Sequence, residues 1–247
     1  MKGLMRSDLY AELYEAEENH WWHQHKRAIA KQILEQLVPS PGKVLDVGAG
    51  AGKLLSELQK KGWQSNGVDL EPKAKQQSRK RNLNIQIADA TKKIPFKTDY
   101  FDAVFAVDSL EHMENDRKAL REMKRVTKPG GVIYLSVPAY PALFSYWDKM
   151  LGHYRRYSKE NLELLVTSTG LKIERLTYYL SFLLLPAIIV RLIKKLLNQN
   201  KISDFQTMFL PWLVKPMLKL FTQAELVLLK RVNLPFGLSL ICVCRKN

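Results

Sequence analysis

Cysteine is scarce in this sequence, and its first residues carry no mark of export. The two cysteines among 247 residues, Cys242 and Cys244, lie in an apolar run that predicts a strand, where alternate side chains share one face. We expect them to pack rather than to form a disulfide, and no Cys/His spacing typical of a metal site accompanies them. The N-terminal residues lack the apolar core of a signal peptide. These features predict a cytoplasmic protein.

Apolar runs long enough to span a membrane are also missing, because neither of the two candidates reaches the roughly 20 residues required. They cover residues 178–190 and 208–220, and lysine or arginine follows or interrupts each one. Apolar faces beside lysines are typical of helices that lie in a membrane interface. A helical cap over a substrate cleft would show the same pattern. Peripheral contact through residues 179–221 with the cytoplasmic face of a membrane is therefore one of two interpretations.

Acidic residues are few in the last part of the chain. Residues 151–247 hold 15 lysines and arginines against 5 acids, whereas residues 1–150 hold 24 against 19. The net charge of +15 is thus concentrated toward the C-terminal end. Such a field favours an anionic partner, namely a phospholipid surface, a phosphorylated substrate or nucleic acid. A basic surface that serves only solubility would explain the same numbers.

Strand and helix patterns alternate through the middle of the chain. A helix is predicted over residues 8–38, before the alternation begins. Strands are predicted at 43–47, 65–69, 85–88, 101–107 and 131–137, with helices near 52–61, 72–81, 114–127 and 159–169 and further strands at 171–178 and 236–244. Strands that alternate with helices indicate an α/β fold with a doubly wound parallel sheet, whose ligands bind beyond the carboxyl ends of the strands.

The first predicted strand ends in Asp46 and breaks into three alternate glycines, Gly48, Gly50 and Gly52. Glycine lets backbone approach a ligand closely, because it has no Cβ. The spacing is G-x-G-x-G, whereas a dinucleotide site has G-x-G-x-x-G. A carboxylate at Asp46 would repel a pyrophosphate but suits an ammonium group. An NAD-dependent oxidoreductase is therefore disfavoured.

Together with the acids that follow, this turn resembles motif I of the class I S-adenosylmethionine (SAM) methyltransferases, of the methyltransferase-11/23 type. The resemblance implies a Rossmann-like seven-stranded sheet with an antiparallel last strand, with SAM as cofactor and S-adenosylhomocysteine (SAH) as product. It places Asp46, Gly48 and Gly50 at the methionine end of SAM. It implies that the ribose lies at Asp69 and Leu70, the adenine at Asp89 and Ala90, and the fourth strand at the cleft through Val107.

The family usually joins its last two strands by a hairpin, whereas about fifty-five residues intervene here. We therefore divide the chain into an N-terminal helical cap (1–42), the SAM-binding core (43–178), a helical apolar-basic insert (179–234) and the last strand of the core sheet (235–247). Whether the insert faces the cleft or a membrane is the alternative left open above.

A His-Trp-Trp segment precedes the fold. In similar bacterial methyltransferases such a segment, with an arginine downstream, covers the cofactor, which makes Trp22 and Arg27 further cofactor-binding candidates. The histidines at 20, 23 and 25 lack the spacing of a metal site, and we expect them to be solvated.

His112 follows the fourth strand and is the candidate general base, since imidazole titrates near neutral pH. The segment also resembles the acid-x-x-Glu-His stretch of the ubiquinone-pathway O-methyltransferases, in which such residues can hold a divalent metal. Asp108, Glu111 and His112 match those positions. A Glu-His pair is nevertheless widespread in class I methyltransferases that have no known metal, so packing, base and metal roles stay open.

A Gly-His-Tyr-Arg-Arg-Tyr segment follows the fifth strand, where this fold usually binds the methyl acceptor. Adjacent arginines flanked by tyrosines can clamp a phosphate or carboxylate. The candidate acceptor-binding residues are His153, Tyr154, Arg155, Arg156 and Tyr157. An exposed basic turn is the alternative.

These observations favour a SAM-dependent methyltransferase for a small or amphiphilic acceptor, lipid- or glycan-linked, with O-methylation slightly preferred. An RNA methyltransferase is the main alternative, because of the basic charge and the aromatic residues near arginines. No Asn-Pro-Pro-Tyr motif and no recognisable RNA-binding appendage support it, so we expect no nucleic-acid partner. A non-catalytic SAM-binding or scaffold protein is the third hypothesis.

Overall fold

The computed structural model describes residues 9–196 and 214–247. Seven strands form one sheet in the order β3-β2-β1-β4-β5-β7-β6. They are β1 (Lys43–Val47), β2 (Gln64–Asp69), β3 (Asn84–Ile87), β4 (Phe101–Val107), β5 (Thr127–Pro138), β6 (Lys172–Tyr179) and β7 (Ser239–Arg245). The first five run parallel to one another, and β7 lies between β5 and β6, antiparallel to both. The predicted fold class, with its antiparallel last strand, is confirmed.

Nine α-helices accompany the sheet in the described residues. They are α1 (Leu9–Asn19), α2 (Trp21–Leu37), α3 (Lys53–Gln59), α4 (Pro72–Arg79), α5 (Asp116–Val126), α6 (Tyr146–Met150), α7 (Lys159–Thr167), α8 (Leu184–Leu196) and α9 (Val214–Leu228). The helix predicted over 8–38 is therefore two helices. They meet at His20, whose backbone is extended. Its side-chain Nδ1 caps α2 by accepting a hydrogen bond from the Trp22 amide at 3.4 Å.

The strand predicted at 131–137 begins earlier, at Thr127, and the run Pro129-Gly130-Gly131 forms a bulge inside it. In the pairing of β4 with β5, Phe101 lies opposite Thr127, and Ala103 lies opposite Val132. The intervening residues bend out of the ladder, and Gly130 adopts a φ of +74° there. A bulge absorbs extra residues without ending a strand, which is why the sequence pattern placed the strand start too late.

Apolar clusters cover both faces of the sheet. One joins α5 and α7 to the sheet, and the other joins α2 and α3 to the opposite face and continues to the start of α8. Cys242 and Cys244 are fully buried in the first cluster, and their sulfurs lie 3.6 Å apart, within hydrogen-bond reach and without a disulfide, so the expected packing role is confirmed. A core on both faces leaves the carboxyl ends of the strands as the open edge.

Helix α9 is fixed to α2 and to the end of β6 by one buried acid. Glu225 lies 2.7 Å from Nε2 of His25 and accepts the backbone amides of Leu180 and Ser181 at 2.9 and 2.8 Å. The expectation that the histidines of this segment are solvated is wrong for His25, which is 3% exposed. Its hydrogen-bond partner comes from 200 residues away, beyond the reach of a local pattern.

Helix α8 has two apolar faces. Leu183, just before the helix, and Ala187 and Val190 within it line a cavity, whereas Leu185 and Ile189 are more than half exposed. The two interpretations of the insert, a cap over a cleft and an outward apolar face, thus describe opposite sides of the same helix. None of the helices in residues 9–196 and 214–247 combines the length and hydropathy that crossing a membrane requires. Part of the second predicted apolar run, residues 208–213, lies outside the described residues.

Candidate active site

A cavity of about 430 Å³ opens at the carboxyl ends of β1 and β4. Its walls come from the glycine turn, the N-terminal helices, the segment after β4, the loop after β5 and helix α8. The sheet therefore brings together several of the segments that the sequence singled out. A wider surface depression beside Lys93 and Arg125 shares none of these residues and carries no site motif.

Two glycines of the turn are needed for different reasons. Gly48 has a φ of +78°, and a Cβ on it would lie 2.4 Å from Cβ of Ser109. Gly50 also has a positive φ, but a Cβ there would meet only an oxygen of Glu17 at 3.9 Å. The first glycine therefore lets β1 pass beside the segment after β4, and the second opens the turn toward the cavity.

Two buried carboxylates face this turn. Oδ1 of Asp46 and Oε2 of Glu17 are buried and have no hydrogen-bond partner in the described structure. Burial, with Glu17 and Asp69 nearby, raises the pKa of Asp46 to about 8, and burial also raises the pKa of Glu17. Burial thus favours the neutral form of both acids, and a cation bound beside them would favour the ionised form. This arrangement fits the ammonium and sulfonium charges of SAM.

Glu17 was not singled out from the sequence. Its other oxygen, Oε1, accepts the amide of Lys53 at the start of α3, at 3.2 Å, so helix α1 is docked on the glycine turn. Lys26 was missed too, although it stands one helical turn after Trp22 on the same face, which is a readable signal. Its Nζ lies 4.6 Å from the Trp22 ring centroid and pairs with Asp108.

Asp69, the last residue of β2, and Asp89, two residues after β3, lie at the same edge of the sheet. Asp69 accepts the amides of Gly50 and Glu71, both at 2.8 Å. Asp89 accepts the amide and hydroxyl of Thr91 at 2.9 and 2.6 Å. Both therefore shape their turns, and neither is among the residues that line the cavity. Of the remaining predicted positions, Leu70 is 48% exposed, Ala90 is buried and Val107 lines the cavity.

Both cap residues predicted to cover the cofactor line the cavity. Trp22 lies in the wall beside Lys26. Arg27 donates to Glu57 at 3.0 Å and to the carbonyl of Glu17 at 2.6 Å. Its charge is thus partly compensated before any ligand binds, and its second role is to hold α1 in place.

The segment after β4 presents Glu111, His112 and, from the later loop, His153. One ligand atom of each lies within 4.8 Å of the others, and the two imidazole rings meet edge to face at 4.6 Å. The structure thus groups His153, rather than Asp108, with the predicted Glu-His pair. Asp108 is instead held by Lys26 and accepts the hydroxyl of Ser136 at 2.8 Å.

The protonation of this group differs from the sequence expectation. Burial and the neighbouring His153 lower the pKa of His112 to about 3, so its imidazole is neutral and weakly basic at neutral pH. Burial raises the pKa of Glu111, whose Oε2 has no partner in the described structure. The ammonium of Lys26 and the guanidinium of Arg156 act on Glu111 electrostatically. These two cations oppose a metal ion at the same place.

Two of the five predicted acceptor-binding residues after β5, His153 and Arg156, line the cavity. Asp148 is fully buried and lies 3.1 Å from Nδ1 of His153 and 2.7 Å from Nε of Arg156. Burial alone would raise the pKa of Asp148, but these hydrogen bonds hold it well below its usual range. One buried carboxylate thereby orients both residues, and both line the cavity.

The other residues of this segment point elsewhere, which corrects the expectation that Arg155 and Arg156 form one clamp. Arg155 pairs with Asp116 at 2.7 Å, and the hydroxyl of Tyr157 binds the same carboxylate at 3.0 Å. Tyr154 donates its amide to the carbonyl of Glu111 at 2.8 Å. Adjacent residues of an extended segment face opposite ways, so only one arginine can reach the cavity.

Comparison with known proteins agrees with this geometry. A family model described as "Methyltransferase domain" matches residues 21–176. An O-methyltransferase of Pyrenophora dematioidea is 28% identical over 158 residues, 58% of this chain and 59% of the relative. A demethylmenaquinone methyltransferase of Chlorobaculum parvum is 31% identical over 126 residues, 50% of this chain and 51% of the relative. The chain thus spans about half the length of the curated relatives it matches.

Among solved structures, phosphoethanolamine N-methyltransferase 2 of Haemonchus contortus, in complex with S-adenosyl-L-methionine, superposes with a TM-score of 0.57 at 20% identity. The match covers 91% of this chain and 52% of that one. At this identity the likeness concerns the fold. The curated relatives include O-, N- and C-methyltransferases, so the atom that receives the methyl group differs among them.

Proposed function

The chain belongs to the methyltransferase-domain family, its cofactor is SAM, and from that premise we propose that it transfers the methyl group of SAM to a small or amphiphilic acceptor. We prefer an oxygen as the methylated atom. The observation that carries the proposal is the pair of unpartnered, buried carboxylate oxygens of Asp46 and Glu17 beside the glycine turn. A buried acid without a partner is costly, and a cationic ligand in the cavity would satisfy both.

In this proposal different residues around the turn bind different parts of the cofactor. Asp46 and Glu17 bind the ammonium end, and Gly48 and Gly50 admit the methionine chain. Asp69, beside Leu70, accepts the ribose hydroxyls. Asp89, beside Ala90, faces the adenine amino group. Trp22 and Arg27 close the cavity from the cap, and Val107 supports it from β4.

Bound SAM supplies an electrophilic methyl group, so the protein needs chiefly to align the acceptor with it and to exclude water. The cap helices exclude water, because α1 and α2 lie over the glycine turn through Glu17 and Trp22. Alignment of the acceptor falls to the side chains beyond β4 and β5, among them His153 and Arg156, which Asp148 holds in place.

The acceptor part of the cavity is cationic and apolar. Lys26, Arg156 and Arg191 line it together with apolar side chains of α6 and α8, such as Trp147 and Val190. A cationic wall suits a phosphate or carboxylate, and an apolar wall suits a hydrocarbon or ring. An amphiphilic anion satisfies both, which supports a lipid- or glycan-linked acceptor.

The outer surface of the insert supports membrane contact. Ten of the fourteen exposed large apolar side chains in the described residues lie between Leu185 and Phe236. Clustered apolar exposure of this kind marks an interaction surface, and the charge of residues 151–247 favours an anionic one. We infer that α8 and α9 rest on an anionic phospholipid surface and admit the acceptor from it.

Methyl transfer is tested by incubating the full chain and methyl-labelled SAM with a lipid extract, a water-soluble metabolite extract and total RNA from bacteria. We expect the label to enter the lipid extract, and an Asp46→Asn chain to transfer much less. Label in RNA alone would favour the RNA methyltransferase, and binding of SAM without transfer to any fraction would support a non-catalytic SAM-binding protein.

Membrane contact is tested by flotation with vesicles of phosphatidylglycerol and phosphatidylcholine. We expect the wild-type chain to float with the anionic vesicles, and Leu185→Ser/Ile189→Ser to reduce the floating fraction severalfold. Leu164→Ser is the matched control, because Leu164 is 67% exposed on α7, outside the insert. Equal flotation of the three chains would contradict the assignment of this surface.

A further inference from the structure

Glu111 is the buried acid of the acceptor part of the cavity. It lies in the short 3-10 turn Leu110–His112 after β4, is 1% exposed and lines the cavity. Its Oε2 has no hydrogen-bond partner in the described structure. Its backbone carbonyl, by contrast, is bound by the amide of Tyr154 at 2.8 Å, so the turn that carries it is fixed.

The groups around Glu111 leave one of its carboxylate oxygens able to accept a hydrogen bond from a neutral donor. Charged and titratable groups face it from every element packed against it. They are Lys26 of α2, Asp148 of α6, His153, Arg156 and Tyr157 of the loop after β5, Tyr179 of β6 and its neighbour His112. The nearest cations are partly engaged, Lys26 by Asp108 and Arg156 by Asp148. Oε2 of Glu111 thus has no hydrogen-bond partner among the described residues, although the residue lines the cavity.

We propose that Glu111, rather than His112, binds the nucleophilic group of the acceptor and takes its proton. The inference rests on the proposed function. An acceptor hydroxyl donates its hydrogen bond to Oε2 of Glu111. As the bond from oxygen to the methyl carbon forms, the methyl–sulfur bond breaks, its electron pair stays on sulfur and the hydroxyl proton passes to Glu111. The proton is then released to solvent.

Two observations favour Glu111 over its neighbour. A carboxylate raised in basicity by burial is an effective base near neutral pH, whereas the imidazole of His112 is held at low basicity. Glu111 also offers an oxygen that nothing else in the described residues uses. His112, packed edge to face against His153, serves to position that ring. The acceptor class that follows is one with a hydroxyl group at the end that enters the cavity.

Binding of a hydroxyl donor tests the first part without any turnover. Phenol and anisole have the same ring, but only phenol can donate a hydrogen bond. With the SAH complex of the full chain we expect phenol to bind about tenfold more tightly than anisole. Glu111→Leu should abolish this preference, whereas His112→Asn and Glu114→Gln should keep it. Glu114 is exposed on the same segment and is the matched control.

The preference is measured by calorimetry or by ligand-observed NMR, with EDTA present so that a metal cannot supply it. A wild-type chain that shows no preference, or that binds neither compound at millimolar concentration, would overturn the proposal. Persistence of the preference in Glu111→Leu, or its loss in His112→Asn, would do the same. The SAH affinity and melting temperature of each variant show whether the fold is intact.

Turnover tests the proton transfer. Glu111→Gln keeps an acceptor oxygen but cannot take a proton, so we expect kcat to fall about a hundredfold while the SAH affinity stays the same. An unchanged kcat would overturn the base role. The phenol comparison decides the role of Glu111 even if no extract accepts label, whereas absence of transfer with an intact phenol preference would count against the proposed function alone.

Discussion

The two ends of the cavity are built in different ways. The glycine-turn end, around Gly48 and Gly50, is made chiefly of one β–α turn and of an acid at the end of β1, Asp46, to which α1 adds Glu17. The Glu111 end is assembled from side chains of α2, of the turn after β4, of the loop after β5 and of α8. A binding turn formed by one local segment can recur in many different proteins and bind the same ligand in each. A binding surface formed by distant segments changes whenever one of those segments changes.

The charge of the two ends differs as well. Asp46 and Glu17 make the glycine-turn end acidic. Lys26, Arg156 and Arg191 line the other end, where Lys26 and Arg156 act electrostatically on the buried acid Glu111. This contrast supports the proposal that the cationic cofactor binds at the acidic end and that an anionic acceptor binds at the other end.

The largest expected effect comes from the residue that joins the two ends. Glu225→Ala removes the acceptor of two buried amides and the partner of His25. Unpaired buried groups of this kind cost roughly 1–3 kcal/mol each, so we expect the free energy of unfolding to fall by about 3 kcal/mol. Because α2 carries Trp22 and Lys26, both ends should weaken together, as seen in the affinities for SAH and phenol.

Gln223→Ala is the matched control for this change. Gln223 is exposed two residues earlier on the same helix, and its replacement should alter the free energy of unfolding by less than about 0.5 kcal/mol. Denaturant titrations of both variants make the comparison. A Glu225→Ala chain as stable as this control would show that the insert is not fixed to α2.

A smaller effect, confined to the glycine-turn end, concerns the pH dependence of SAH binding. The pKa of Asp46 is about 8 in the unliganded protein, and the ammonium group favours the ionised form. Binding therefore releases a proton below pH 8, and affinity rises with pH. We expect the affinity for SAH, measured by calorimetry, to rise about tenfold from pH 6 to pH 7. Asp46→Asn should lower it and flatten this rise.

Glu17→Gln separates the contribution of the cap from that of β1. The pKa of Glu17 is raised in the same direction, so its loss should reduce the steepness of the pH dependence but not abolish it. An equally steep rise in Asp46→Asn would assign the titration to another group and would remove Asp46 from the ammonium site.

Most of the fold could be predicted because its signals are local. The strands around Asp46 and the fourth strand have the predicted bounds, 43–47 and 101–107, and the family was identified from the glycine spacing and the acids that follow. The break at His20 and the bulge near Gly130 could not be predicted. Each depends on the contacts made with a neighbouring helix or strand. The hydrophobic periodicity of one segment gives no information on those contacts.

The site could be predicted at one end only. The spacing in the sequence identifies Asp46, Gly48 and Gly50 as site residues. Glu17 and Lys26 reach the site only because the N-terminal helices pack there. The electrostatics of the Glu111 end were also out of reach, because burial and distant cations decide which group can act as a base. Sequence reasoning chose the histidine for its ordinary pKa, and the folded environment reverses that order.

The smallest expected effect distinguishes two neighbouring arginines at the Glu111 end. Arg156 lines the cavity, whereas Arg155 is bound to Asp116 outside it. We expect Arg156→Ala to raise the KM for the acceptor about fivefold to tenfold, which corresponds to one lost charge-assisted hydrogen bond, with the SAH affinity unchanged. Arg155→Ala should leave the KM within twofold and lower stability slightly. Initial rates with the label-accepting fraction measure both. Equal effects of the two variants would mean that both arginines bind the acceptor as one clamp. The positive charge of the Glu111 end would then come from both arginines and not only from Arg156, which Asp148 holds.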